Sequence, residues 1–545
     1  MTPAKTTTII LCGGTINYTH LPIGTNTSNA MIPVNGKPVI GWILNDLIDK
    51  GIKEATVVLR EADTRLQNFL QRAYRGRMEI MIAALETDGG TINQSLQTGL
   101  RHTPTNGLVR IILGDTLIRD PYPDNGEDFV YVGDVEESRR WCIAFTDSQG
   151  RIVNLVDKQE LHTSEPLRAL AGYYHLTRGD VLAACVDEAV AAGERELSRS
   201  LLRYNARAPI YARAAQEWFD FGNIDHLVDA RRRLLQPRHF NALTINPVLN
   251  TITKVSENDA KLTDELDWYL AIPDDLKVLT PRIVHHERVD GRLRFVQEYY
   301  GYPTLAELWV YGDLHADTWV SILKQVLRIH QEFKRYSGDL PPSDVLTMYA
   351  DKTWERVEKL RASSAYWASL LERETLVVNG RRLKNLPLLR ANIQAAAERL
   401  AQTAPIHILH GDYCFSNILF DLNNQIIRLI DPRGSFGRKG IYGDGRYDIA
   451  KLRHSVRGLY DFITADMFDV QETDGIFTTA IYANGTPETV GAAFDHLLIN
   501  AGYALNDIKL IEGLLFLSMP PLHQDKFARQ QMMYMTGIGL LNEVL

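Results

Sequence analysis

The chain has 545 residues, 45% of them hydrophobic and 23% charged, with a formal net charge of −8. That length exceeds what one hydrophobic core supports and suggests roughly two to four domains. A pI near 6.0 argues against a general nucleic-acid binder, which needs a basic face for phosphate backbones. The run Arg231-Arg232-Arg233 is short and reads as a solvated helix face. The cysteines Cys12, Cys142, Cys185 and Cys414 are scattered without metal-ligand spacing, the pattern of free thiols in a reducing cytoplasm. The apolar run 9–12 is too short for a signal-peptide core, and no later segment is long and apolar enough to span a bilayer. The expected location is cytoplasmic.

From residue 6 to about 237, short β-branched runs (8–11, 55–59, 79–83, 109–113, 129–132) alternate with helical patterns (39–50, 63–74, 93–101). That rhythm predicts an α/β domain with a mainly parallel sheet. A helix over 223–235 ends in basic residues before Gln236-Pro237, which places a domain boundary at 237. From 239 to about 296 the pattern becomes antiparallel strands around one helix. After 304 it is mostly helical, interrupted only by a hairpin over 407–431. The expected division is 1–237 and 238–545, the second with a small lobe over 238–303 and a large lobe over 304–545.

In the first part, Ile9-Ile10-Leu11-Cys12 runs into Gly13-Gly14, and glycines after a buried strand let backbone amides approach a phosphate or base. Asp115 and Asp220 each end a strand-like run, and such a pair can clamp a magnesium ion bridging a nucleoside triphosphate and an incoming phosphate. In the second part, Lys254 lies on the alternating run Thr251-Ile252-Thr253-Lys254-Val255-Ser256, and Glu265 follows in the helix-like 262–270, with Asp264 as its competitor. A strand lysine paired with a helix glutamate orients the α- and β-phosphates of ATP; otherwise Lys254 is an exposed strand residue. Residues 294–300, including Glu298, read as a strand and hinge that receive adenine. No glycine-rich loop precedes them, only the turn Asn246-Pro247.

The stretch 407–431 is the most informative. It reads His-Ile-Leu-His-Gly-Asp-Tyr-Cys-Phe-Ser-Asn, then Ile-Leu-Phe, a turn, and Ile-Ile-Arg-Leu-Ile-Asp. Asp412 and Asn417 are five apart, and Asp431 closes the next strand. Phosphoryl transfer to a hydroxyl needs a carboxylate at the alcohol proton, plus a carboxylate and an amide oxygen on magnesium. Asp412 is therefore the expected base or orienter, and Asn417 and Asp431 the metal ligands. His410 and Asp448 are expected to brace the loop, and Arg433 to reach a phosphate.

This signature resembles the aminoglycoside phosphotransferase and choline kinase family. The run from Asp431-Pro432-Arg433-Gly434 to Asp448 looks like members found with bacterial capsule genes. The resemblance, over 240–545, implies a bilobal, protein-kinase-like α+β domain using ATP and Mg2+. In the first part, motifs occur in the order of the sugar nucleotidyltransferase family. Ala30 to Ile40 resembles the segment after its catalytic lysine, Gly89-Gly90-Thr91 its base-binding turn, and Leu113-Gly114-Asp115 its metal-binding strand end. Val156-Asp157-Lys158 resembles the motif whose lysine meets the substrate phosphate. Ala171-Gly172-Tyr173-Tyr174 and Trp218 to Asn223 resemble its later motifs, the last carrying the second metal aspartate, Asp220. The resemblance covers 8–235 and implies a Rossmann-like nucleotidyltransferase domain. Gly13, Gly14, Gly90 and Thr91 would hold a nucleoside triphosphate, CTP among the candidates. Tyr18 and Asn29 stand where that family keeps an arginine and a lysine; Lys5 or Lys37 could substitute.

Together these features predict a bifunctional enzyme for bacterial surface polysaccharide. One domain phosphorylates a small alcohol or sugar with ATP, and the other joins the product to a nucleotide. The rivals are a kinase with a non-catalytic nucleotide-binding domain, and a scaffold for glycan-pathway proteins, which would not need Asp412, Asn417 and Asp431 together. Nucleic-acid partners and a membrane span are not expected.

Overall fold

The computed structural model describes residues 6–15, 27–85, 90–123, 126–163, 166–222, 224–234, 241–483 and 486–545. The chain divides into two compact units, Met1–Leu234 and Leu235–Leu545.

In the first unit, strand Thr7–Leu11 is buried at every residue, as expected of a strand covered on both faces. It pairs in parallel with Glu54–Arg60 on one side and Val109–Leu113 on the other, and Glu79–Leu85 extends the parallel set. Antiparallel Leu167–Leu176 then joins Val109–Leu113 and carries the sheet on to Cys142–Thr146, Ile152–Asp157 and Phe129–Val135. The core gathers Ile9, Leu11, Val58, Leu96, Leu100 and Ile111 between this sheet and helix Ile92–Arg101. Thr91 and Gln94 close that helix with a reciprocal capping box. The C-terminal ends of Thr7–Leu11 and Val109–Leu113 lie side by side, with Gly114 N–H donating to Leu11 O at 2.8 Å. Open α/β sheets present ligand crevices at such strand ends.

In the second unit, four antiparallel strands stand in the order Asn241–Asn246, Thr251–Ser256, Arg292–Glu298, Ile283–Val289. Helix Asp259–Ala271 packs Leu262 and Leu266 against Leu293 and Phe295. Larger helices follow, among them Ala316–Phe333, Leu386–Gln402, Leu505–Ser518 and Phe527–Val544. Helix Gly445–Val456 is buried along all of its 12 residues, though it carries Asp448, Lys451, Arg453 and His454. Buried charge must be paired. Arg453 meets Asp495 at 2.8 Å and also Glu512.

Two expectations need correction. The segment 407–431 is not one hairpin: Ile406–Ile408 pairs with Tyr442–Asp444, and the hairpin proper is Ile418–Asp421 with Ile426–Leu429. Nor is it the only β-structure after residue 304. Strands Thr375–Val378, Arg381–Lys384, Phe468–Thr473 and Ile476–Ile481 form a further sheet. Its hairpins turn at Asn379-Gly380 and Asp474-Gly475, all four residues at positive φ. Asn-Gly and Asp-Gly between β-branched runs are strong hairpin signals, and they were legible in the sequence.

Arg453→Met leaves Glu512 buried without its cation. The expected cost is about 3–5 kcal/mol of stability, with part of it recovered when Glu512→Leu is added. Urea unfolding at neutral pH checks this, and a single variant as stable as the natural chain would contradict it.

Candidate active sites in the two units

In the first unit, a cavity of about 170 Å³ opens at the strand ends, lined by Cys12, Gly13, Gly14, Asn29, Gly90 and Asp115 among others. A Cβ on Gly13 would fall 2.9 Å from Leu85 Cδ1, and one on Gly14 3.3 Å from Asn29 Nδ2, so the turn itself forms the cavity wall. Ser28 Oγ donates to Cys12 O at 2.9 Å, and Asn29 N–H donates to Gly14 O at 3.1 Å. These bonds aim the Asn29 side chain, whose Nδ2 donates to Asp115 Oδ2 at 3.2 Å.

Asp115 and Asp220 converge. A Cβ on Gly222 would lie 3.3 Å from an oxygen of each. Strand Trp218–Asp220 pairs with Thr116–Ile118 to bring them together. Burial, then the Asp220 charge, pushes the Asp115 carboxyl up to about 6, against the pull of Asn29. Two repelling carboxylates of this kind suit a hard cation, which would relieve both penalties. Gly90 lines the cavity. The Thr91 N–H is committed to Gln94 Oε1 at 2.7 Å. Lys158 is not among the lining residues; it has φ 49°, and its ammonium meets Glu196 at 3.3 Å. Lys37 lies over the Trp42 ring at 5.1 Å. Tyr18, Lys5, Gly89 and Asn223 lie outside the described residues.

In the second unit, Lys254 Nζ donates to Glu265 Oε1 at 2.7 Å and to Asp431 Oδ1 at 2.5 Å. Burial alone would lower the Lys254 pKa, but Asp431 and then Glu265 outweigh it and hold the ammonium charged. Asp264 takes a different cation, Lys439, at 2.7 Å. Asp431 adopts φ 55°, a costly conformation for a residue with a Cβ. Flanking bonds fix it: Ile430 N–H donates to Asn417 O at 3.0 Å and Arg433 N–H to His410 O at 2.9 Å.

Asn417 Nδ2 donates to Asp412 Oδ2 and to Asp412 O, both at 2.9 Å. Its carbonyl Oδ1 accepts only a long bond from Ser416 Oγ, at 3.4 Å, and with Asp431 can serve as an oxygen donor for a small hard cation that keeps several waters. Lys451 Nζ meets Asp412 Oδ1 at 2.9 Å. Burial would raise the Asp412 pKa, but Lys451 and then Arg433 hold its carboxyl far below the carboxylate range. About a third of the Asp412 side chain (34%) stays exposed, enough to meet a substrate. Asp448 accepts from His410 N–H at 2.8 Å and Gly411 N–H at 2.9 Å. The His410 ring, with its pKa lowered to about 4 by burial, packs on Trp268 and Tyr413. Arg433 donates to Tyr447 Oη at 2.9 Å. The Glu298 carboxylate accepts from Tyr300 Oη at 2.8 Å, and its N–H donates to Arg282 O at 3.0 Å. Tyr299 N–H donates to Asn250 O at 2.8 Å, so an adenine donor must come from farther along this segment.

Several residues here escaped the sequence reading. Lys451 follows Asp448 by three on one helix, a spacing that puts both on one face. His226 meets Asp220 at 2.9 Å and stacks on Trp141. It carried no motif, but a histidine six residues after a metal-type aspartate at a helix start was a usable signal. Among the described residues, no group of three or more His, Cys, Asp or Glu could hold a metal, and no helix is long and apolar enough to cross a membrane.

The nucleotidyl transferase family model matches residues 7–237, and the phosphotransferase enzyme family model matches 248–435. The chain thus joins a nucleotidyl transferase domain to a phosphotransferase domain. A glucose-1-phosphate thymidylyltransferase of Mycolicibacterium smegmatis is 26% identical over 237 residues, 41% of this chain and 80% of that protein. The solved CTP:phosphocholine cytidylyltransferase of Streptococcus pneumoniae is 16% identical over 42% of this chain and 99% of its own, with a TM-score of 0.35. A UDP-glucose pyrophosphorylase of Acinetobacter baumannii is 13% identical over 42% of this chain and 92% of its own, with a TM-score of 0.36.

The folded pKa of Asp115, about 6, lies above its ordinary 3.8. Its charged form therefore opposes folding, fully above the folded value and less as pH falls toward the unfolded one. Asp115→Asn should stabilise the first unit by about 1–3 kcal/mol at pH 7–8 in chelator, and the gain should vanish below about pH 4. Thermal unfolding across pH checks this; a pH-independent difference would refute the assigned cause.

Proposed function

We propose that the chain is a two-step enzyme for surface polysaccharide precursors. The second unit phosphorylates a small alcohol or sugar with ATP, and the first joins the product to a nucleotide. What supports this most is the meeting, in one unit, of the Lys254–Glu265–Asp431 ion set with the Asp412–Asn417 pair.

In this reading Lys254, fixed by Glu265, holds the α- and β-phosphates, while backbone beyond Tyr299 receives adenine. Asp431 and Asn417 would hold magnesium, which would supply charge neutralisation of the phosphates. Asp412, held ionised, is a weak proton acceptor, so its first task is to orient the acceptor hydroxyl. The hydroxyl oxygen attacks the γ-phosphorus, the bond to the β-phosphate oxygen breaks, ADP leaves, and the alcohol proton passes to Asp412. Arg433 lies beside Asp412 to meet phosphate charge.

In the first unit Gly13, Gly14, Gly90 and the Thr91 turn would cradle a nucleoside triphosphate, with Asp115 and Asp220 holding its magnesium. The new phosphate attacks the α-phosphorus and releases pyrophosphate, with Lys158 able to meet it only on leaving Glu196. CTP is one candidate, and the thymidylyltransferase relative makes a thymidine nucleotide another. Fusion raises the local concentration of the shared intermediate. A second reading, a kinase whose first unit only binds a nucleotide, is favoured by Asn29. It stands at a cationic position of the related family and spends its amide on Asp115. A missing cation there costs about 100-fold in rate.

Asp412→Asn should lower ATP-dependent phosphorylation about 100-fold or more with ATP affinity nearly unchanged. Single-turnover assays with nucleotide titrations decide, and near-normal turnover would remove Asp412 from the mechanism. Asp115→Ala should end pyrophosphate release in the presence of acceptor, ATP, CTP and thymidine triphosphate, yet leave ATP consumption intact. Loss of both activities in a folded variant would contradict two separate sites.

A further inference from the structure

The surroundings of Asp412 bear on what the acceptor carries. Tyr447, buried to 2% exposure, is the hub. Arg433 Nη1 donates to its hydroxyl at 2.9 Å, and the Lys352 ammonium stands 6.0 Å from its ring centroid. Arg356 lies one helical turn beyond Lys352 on helix Lys352–Ser363 and donates to Ser518 O at 3.1 Å. Lys451 completes the group through Asp412.

At its Lys352–Arg356 end this cluster has no paired carboxylate among the described residues, whereas at Arg433 burial is outweighed by Tyr447, Asp412 and Asp448. Among the described residues, no carboxylate forms an ion pair with Lys352, Arg356 or Arg433, while Asp412 already has Lys451. Asp448 is nearby, but its two oxygens accept backbone N–H groups. Burial first, then Arg433 and Arg356 against the pull of Tyr447, lowers the Lys352 pKa to about 8. Burial would raise the Tyr447 pKa, yet Arg433, then Lys352 and Lys451, bring the phenol down to about 7. The Tyr447 shift reports the positive potential of these cations, while the Lys352 shift is mainly burial with a smaller share from Arg433 and Arg356. Gathering partly buried cations without counter-charge is costly, and a bound anion offsets that cost. A five-residue π-turn, Thr347–Asp351, immediately precedes Lys352; such turns recur at functional sites.

We propose that the acceptor alcohol already bears a carboxylate or phosphate, which Lys352 and Arg356 bind beside Tyr447 while its hydroxyl meets Asp412. This rests on the kinase reading of the second unit. It excludes cationic amino alcohols as preferred acceptors, since they would face the same cations. The ATP phosphates keep Lys254, on a different element.

The full-length protein is assayed for ATP consumption with sugar phosphates and sugar acids, their uncharged parent sugars, and amino alcohols. The expected result is turnover with anionic acceptors at least about tenfold above the others. Lys352→Met and Arg356→Met should raise the acceptor KM about tenfold or more and leave the KM for ATP unchanged. Equal turnover of neutral or cationic acceptors, unmoved by these variants, would overturn the proposal and leave the kinase reading standing. A second measurement does not depend on turnover. Inorganic phosphate is titrated calorimetrically into the protein saturated with magnesium and a non-hydrolysable ATP analogue. Binding weakened about tenfold in the folded double variant supports the anion site even if no acceptor reacts. Equal binding, or none, overturns it.

Discussion

One buried helix holds the phosphotransferase loop in shape. Gly445–Val456 has no residue facing solvent, so each ionisable side chain on it must find a partner inside. Asp448 finds two backbone N–H groups, at His410 and Gly411, and Lys451 finds Asp412. The loop in turn orients Asn417 through two bonds to Asp412 and fixes Asp431 through its neighbours Ile430 and Arg433. The positions of three polar groups thus follow from a requirement of burial.

The first unit solves a different problem. Its two strand-end aspartates repel each other, and among the described side chains the donor to Asp115 is an amide, Asn29, rather than an ammonium. An amide adds a hydrogen bond but no charge. The arrangement favours a cation over an empty pair.

How much of this was legible in the sequence varied with the length scale of the cause. Local causes were readable: the β-branched runs, the Thr91 cap before its helix, and the spacing of Asp412, Asn417 and Asp431. The Lys254–Glu265 pair was legible only as one of two options, because Asp264 sits on the same helix. Choosing between them needed the helix phase, which sends Asp264 to Lys439 instead. The sheet containing Thr375–Val378 was missed although both its Asn-Gly and Asp-Gly turns were visible. One of its strand pairings joins residues about 100 positions apart, Val377 with Ile476, and helical surroundings overrode the local signal. The Tyr447 cluster was not readable at all. Lys352, Arg433 and Lys451 come from separate segments, and only packing brings them together.

The cation cluster also has a consequence for capture. The chain carries −8 overall, so a distant anion is repelled, and it meets net attraction only near the cluster. At physiological ionic strength the screening length is about 8 Å. Adding salt then weakens the far repulsion as well as the near attraction. The association rate of a small anion should depend on ionic strength only shallowly, unlike that of ligands drawn to proteins whose whole surface carries the opposite sign.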